Sequence, residues 1–127
     1  MTKKRKVCVV VTARPSYSRV KTALQAIKDH PDLELQLVVA ASAVLKRYGN
    51  VIEQITSDGF EINEKVFMVL EGENPTSMAK TTGLGVLELA TTFSNLEPDI
   101  VVTIADRFET MATALAGAYM NLSLIHI

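Results

Sequence analysis

The chain has 127 residues, 48% of them hydrophobic and 21% charged, which fits one globular domain with a core of its own. Its 13 basic and 14 acidic residues leave a net charge of -1, which argues against a general nucleic-acid binder or a protein drawn to anionic membranes, since both need a basic excess. A lone cysteine forbids an internal disulfide, no apolar run approaches the ~20 residues of a membrane span, and no cleavable signal segment is evident, so a cytoplasmic protein is expected.

The run Lys3-Lys4-Arg5-Lys6 reads as a solvated flank. Val7-Cys8-Val9-Val10-Val11-Thr12 has the continuous apolar character of a parallel strand covered on both faces, with Cys8 as a small core residue. Ala13-Arg14-Pro15-Ser16-Tyr17-Ser18 is expected as a loop. Val20, Ala23, Leu24 and Ile27 then fall on one face of a helix that His30-Pro31 ends. Residues 33–40 predict a second strand. A weaker helical pattern over 46–58 closes at Gly59, and 66–70 reads as a third strand. Asn74-Pro75 marks a helix start, with Asn as cap and Pro at the first helical position. That helix runs to about Leu96 through Gly83 and Gly85. Each glycine costs roughly 1 kcal/mol against Ala inside a helix, so a close packing contact or a local break is expected there. After Glu97-Pro98-Asp99, residues 100–104 give a buried strand. Residues 106–121 give a helix with Phe108, Met111, Ala112, Leu115 and Tyr119 on one side, and 122–127 give a fifth strand.

Strands alternating with helices imply βαβ units and a parallel sheet. The expected architecture is α/β, a Rossmann-like sheet of about five strands in the order 3-2-1-4-5. A flavodoxin-like order, 2-1-3-4-5, is the competitor. In the first order, the ligand crevice opens beyond the carboxyl ends of strands one and four. The segments leaving those strands carry Arg14 and Asp106-Arg107, so two cations and a carboxylate meet there. Neither a dinucleotide glycine fingerprint nor a P-loop is present. Arg14 would supply the cation directly, through a fork that matches phosphate oxygens. The helix N-terminus behind it and the hydroxyls of Ser16 and Ser18 would add to the site. Simpler readings stand beside these. Arg14 also fits an exposed loop cation, Ser18 a helix cap, and Asp106 with Glu109 a cap and its box partner. Arg107 fits a solvated first-turn residue, although a cation there opposes the helix dipole.

Several stretches together resemble the UDP-N-acetylglucosamine 2-epimerase family, particularly its hydrolysing branch. They are Thr12 to Ser18, Tyr48-Gly49-Asn50, Asp58-Gly59-Phe60-Glu61-Ile62, Met78-Ala79-Lys80 to Gly83-Leu84, Pro98-Asp99-Ile100-Val101-Val102 and Asp106-Arg107-Phe108-Glu109. The resemblance implies the N-terminal half of a GT-B-type fold with a UDP-sugar held between two domains, and a full-length enzyme that forms homo-oligomers. It implies UDP-binding roles for Arg14, Ser18 and Arg107 and a catalytic role for Asp106. It implies no metal and no cofactor, because UDP is eliminated across C1–C2 of the sugar and water is then added. The non-hydrolysing branch and a non-catalytic flavodoxin-like module are the alternatives.

Some positions depart from the family. Ala105 stands where a glycine usually precedes the Asp-Arg pair, and Ala40-Ala41-Ser42-Ala43 stands where a glycine and a histidine often follow strand two. The family continues into a Gly-Gly-Glu motif and a second domain, so residues 1–127 are expected to be a truncated N-terminal domain, inactive alone. The last six residues, Leu122 to Ile127, are also what the transposon-end sequence CTGTCTCTTATACACATC encodes. They are read as non-native, and His126 is assigned no function.

Overall fold

The chain folds into β1 (Arg5–Val11), α1 (Arg14–Asp29), β2 (Leu33–Ala40), a 3-10 turn (Ala41–Val44), α2 (Val51–Ser57), β3 (Glu64–Val66), α3 (Pro75–Leu96), β4 (Ile100–Thr103), α4 (Glu109–Tyr119) and β5 (Ser123–His126). This is a computed structural model, and it describes residues 3–45, 49–69, 74–104 and 108–127. All strand pairs are parallel and the sheet order is β3-β2-β1-β4-β5. The Rossmann half-sheet order is therefore the one adopted, and the flavodoxin-like order is not.

β1 shows why its valine run is continuous. Side chains alternate across a strand, and here both faces are roofed by helices. Val7, Val9 and Val11 enter one core with Tyr17, Val20 and Leu24 of α1 and Val51 and Ile55 of α2. Cys8 and Val10 enter the other with Leu89 and Phe93 of α3 and Ala112 and Ala116 of α4. Cys8 is fully buried, and burial pushes its thiol up to about 12.

Residues 13–18 are not the expected loop, because α1 already begins at Arg14. Pro15 suits a first helical turn, where its missing N–H would have no partner anyway and its φ is preset. Tyr17 supplies the missing anchor: it is completely buried, and with Val20, Leu24 and Ile27 it forms the inward face, leaving Ala23 exposed. β3 is also earlier and shorter than residues 66–70. Asn63 leads it in by donating its N–H to Leu37 O and accepting Leu37 N–H on Oδ1. Past Val66, Phe67 turns outward and Met68 is buried under α3.

α3 starts as the sequence predicts: Asn74 accepts from Ser77 N–H at 2.9 Å, with Pro75 at the helix start. It passes unbroken through both glycines. A Cβ on Gly85 would lie 2.8 Å from Ala112 Cβ of α4 and closer still to Met68 Cε, whereas one on Gly83 would meet nothing within 4 Å. The close approach explains α4. Its buried face is made of small residues, Ala112, Thr113, Ala116 and Gly117, while Met111, Leu115 and Tyr119 of the expected apolar side are exposed. α4 begins at Glu109 with Phe108 in the cap position, and the expected Asp106 cap lies outside the described residues.

Near the strand starts, Asp99 donates its N–H to Lys6 O at 2.9 Å and accepts Lys6 N–H on Oδ2 at 2.7 Å. Gln36 Nε2 donates to Leu96 O at the end of α3. β5 pairs with β4 along one side only, and all four of its residues are exposed. Among the described residues, no helix is long and apolar enough to cross a membrane.

Candidate functional site

The register between β1 and β4 runs from Val7↔Ile100 to Val10↔Thr103, so the two strands end side by side. Arg14 follows β1 by three positions, and Asp106-Arg107 follow β4 by three and four. Asp106 and Arg107 themselves lie outside the described residues. Arg14 and Ser18 are described. They are four positions apart on α1 and both exposed, so they share one solvent-facing side of the helix. Ser18 lies in the second turn of α1 and is not a helix cap.

The turn that carries Arg14 is fixed from below. Tyr17 donates its hydroxyl to Asp58 Oδ2 at 2.5 Å, and Lys21 Nζ stands 3.2 Å from the same oxygen. The Tyr17 hydroxyl bond, and then Lys21, hold the Asp58 carboxyl below the usual carboxylate range. Burial, and then the bond and charge of Asp58, push the Tyr17 phenol above its ordinary value. The Tyr17 ring meets Phe60 edge-on at 6.5 Å. Lys28 Nζ donates to Gly59 O at 2.6 Å and lies 5.4 Å from the Phe60 ring centre. The segment after α2 thus clamps α1 along its length.

Beside Arg14 lies a second loop. Gly49 has φ +115°, and the place where its Cβ would stand is 2.9 Å from Arg14 Cδ. The Ser42 hydroxyl donates to Thr12 O at 3.0 Å, which ties the turn after β2 to the end of β1. Thr12 is buried, and its Oγ1 has no hydrogen-bond partner among the described residues. Ala41, in the run where the resemblance leads one to expect a glycine, has φ 55°, a left-handed conformation that favours glycine.

The start of α1 offers an anion less through its backbone than through its side chains. Among the described residues, the helix has no side-chain cap and no acidic residue in its first turn to offset its positive end. Yet Pro15 has no N–H, and Ser16 donates its own to Ala13 O at 3.1 Å. Among the described residues, Arg14 is the cation that the start of α1 presents to solvent. Ser16, also named in the sequence as a hydroxyl for the site, is buried and turned away from solvent.

Sequence reasoning gave Gly49 no role, though its motif was visible. The contact with Arg14 is non-local, and only the glycine in an otherwise polar loop hinted at it. Glu109 is fully buried in the first turn of α4, which the box-partner reading did not foresee. A pocket of about 220 Å³ lies elsewhere, by the strand starts, lined by Lys28, Glu34, Phe60, Glu61 and Asn63 among others. Its Lys28 is already engaged with Gly59 and Phe60.

The sequence profile of the UDP-N-acetylglucosamine 2-epimerase family matches residues 25–127. The chain is 27% identical over 124 residues to the GDP/UDP-N,N'-diacetylbacillosamine 2-epimerase (hydrolyzing) of Campylobacter jejuni, covering 98% of this chain and 32% of that protein. It is 30% identical over 124 residues to the UDP-N-acetylglucosamine 2-epimerase of Neisseria meningitidis, again over 98% of this chain and 32% of the relative. Among solved structures, UDP-GlcNAc 2-epimerase from Neisseria meningitidis bound to UDP-GlcNAc matches with a TM-score of 0.79 at 20% identity, over 96% of this chain and 32% of that one. That likeness bears on the fold. The chain spans about a third of the length of the curated relatives it matches.

Proposed function

The chain belongs to the UDP-N-acetylglucosamine 2-epimerase family, and from that membership we propose that it is the amino-terminal part of a hydrolysing 2-epimerase. The full-length enzyme would convert UDP-N-acetylglucosamine to N-acetylmannosamine and UDP. The observation that carries the reading is the placement of Arg14 and Ser18 on one exposed side of α1, where β1 and β4 end together.

The chemistry explains why such a corner needs cations and a carboxylate. The proton on C2 of the sugar is not beside a carbonyl, so it cannot leave by simple enolisation. Loss of that proton to a base, with departure of UDP from C1, forms the C1–C2 double bond. Water then returns a hydroxyl to C1 and a proton to C2 on the opposite face. Arg14 and Arg107 would carry the charge that builds on the departing diphosphate, Ser18 would donate a hydroxyl to it, and Asp106 would serve as a carboxylate near C2. No hydride moves, so this route uses no nicotinamide.

A second substrate is favoured by a specific observation. The Campylobacter relative bears the name of a hydrolysing enzyme for N,N'-diacetylbacillosamine nucleotides, so a UDP-2,4-diacetamido sugar is the competing substrate of the same reaction. Incubating the full-length protein with each UDP-sugar and identifying the released sugar tests both readings. Free N-acetylmannosamine supports the first, and a free diacetamido sugar supports the second. UDP-N-acetylmannosamine as the product would place the enzyme in the non-hydrolysing branch. The 127 residues alone are expected to release no UDP from UDP-N-acetylglucosamine, and release by the purified chain would refute that.

A further inference from the structure

We propose that Gly49 is the positioning residue for Arg14: because it lacks a side chain, Arg14 can lie against the loop before α2, and this sets where its guanidinium meets a diphosphate. The inference rests on the reading of Arg14 as a UDP ligand.

Two facts about Gly49 point the same way. Its φ of +115° is one that side chains rarely adopt, and the space its Cβ would fill is taken by Arg14. The would-be Cβ lies 2.9 Å from Arg14 Cδ, 3.5 Å from Nη1 and 4.0 Å from Cγ. Arg14 is the first residue of α1, and buried Tyr17 fixes the backbone of that turn. The Arg14 side chain itself is exposed and long, so its direction depends on what its aliphatic stem leans against. Gly49 is that surface. A guanidinium recognises phosphate through paired, directional hydrogen bonds, so a displaced stem forfeits them even when the charge remains nearby.

The nature of the clash decides the consequence. The atoms in the way are the far part of a flexible side chain, not backbone. Gly49→Ala is therefore relieved by swinging Arg14 aside, and the fold survives with the guanidinium in a different place. The substitution also strains the backbone at positive φ, but that cost is independent of Arg14.

A double-mutant cycle on the full-length protein separates the two effects. UDP affinity is measured by calorimetry for the wild type, Arg14→Ala, Gly49→Ala and the double variant, with a melting temperature for each. Arg14→Ala is expected to weaken UDP roughly tenfold or more. Gly49→Ala should weaken it nearly as much in the wild type and hardly at all once Arg14 is gone. The fall in melting temperature from Gly49→Ala should not be larger without Arg14 than with it. Gly49→Asn, a second side chain at the same place, carries the test should Gly49→Ala not fold. If Gly49→Ala leaves UDP affinity intact while Arg14→Ala weakens it, the inference is overturned and the UDP reading stands. Equal weakening in both backgrounds also overturns it, because the glycine would then act without Arg14. If Arg14→Ala has no effect, the UDP reading of Arg14 itself fails.

Discussion

The two glycines of α3 make a controlled experiment in packing. Gly83→Ala places a methyl in open space, so only helix propensity changes, and the domain should gain about 1 kcal/mol. Gly85→Ala brings the same gain but sets its methyl 2.8 Å from Ala112 Cβ and against Met68 Cε. Met68 can rotate its end away. Ala112 Cβ cannot, because it is fixed to the α4 backbone, and carbons prefer roughly 3.5–4.0 Å. The two helices would have to part by up to about 1 Å, against an overpacking cost of typically 1–3 kcal/mol. The net expectation is a loss of about 0–2 kcal/mol for Gly85→Ala, and a gap of about 1–3 kcal/mol between the two variants. Urea unfolding reads that gap directly, since with slopes of about 1–3 kcal/mol/M it separates the midpoints by on the order of 1 M. If Gly85→Ala stabilises as much as Gly83→Ala, the close helix approach is wrong, and so is the account of the small-residue face of α4.

Other expectations follow from the site and its supports. In the full-length protein, Asp106→Asn should lower kcat roughly a hundredfold to ten-thousandfold, whereas Arg14→Ala should chiefly raise KM; normal turnover by the Asp106→Asn enzyme would remove this carboxylate from the chemistry. Tyr17→Phe should lower the urea midpoint and flatten its decline in acid. Asp58 is held low in the folded state, so its contribution is fully present above the unfolded value of about 3.9 and is lost as pH falls through the folded value. An unchanged acid limb would rule out the Tyr17–Asp58 bond as its source. The Cys8 thiol, raised from 9.0 to about 12, should resist thiol reagents at neutral pH in the folded chain. Its unfolded form ionises first, so stability should fall as pH climbs from about 9 towards 12, more steeply than in Cys8→Ala.

Local chemistry wrote some of this fold plainly. The valine run of β1 needed both faces covered, and it has them. Asn74-Pro75 carried its own start signal, and the helix begins there. Alternating strands and helices with right-handed crossovers narrowed the sheet to a few orders, and the Rossmann one, preferred over the flavodoxin-like one, is adopted. What stayed hidden depends on partners far along the chain. Arg-Pro-Ser looks like loop until Tyr17 is known to be buried against the Phe60 ring. Met111, Leu115 and Tyr119 look like a core face until Gly85 draws α4 in on its alanines. The candidate site divides in the same way. Arg14 and Ser18 were visible as residue types, but the contact between Arg14 and Gly49 joins residues 35 positions apart. Asp106 and Arg107, placed beyond strand four by the expected order, lie outside the described residues.

The paired bonds between Lys6 and Asp99, with Gln36 holding the last turn of α3, fasten β1, β2 and the segment after α3 to one another where the strands begin. One of these bonds ends on the Asp99 carboxylate and another starts from the Gln36 side chain, so two side chains help to tie that pole. At the opposite pole Arg14 begins α1, whose first turn is held by buried Tyr17. Replacing Asp99 would therefore loosen β4 against β1 at the pole away from Arg14.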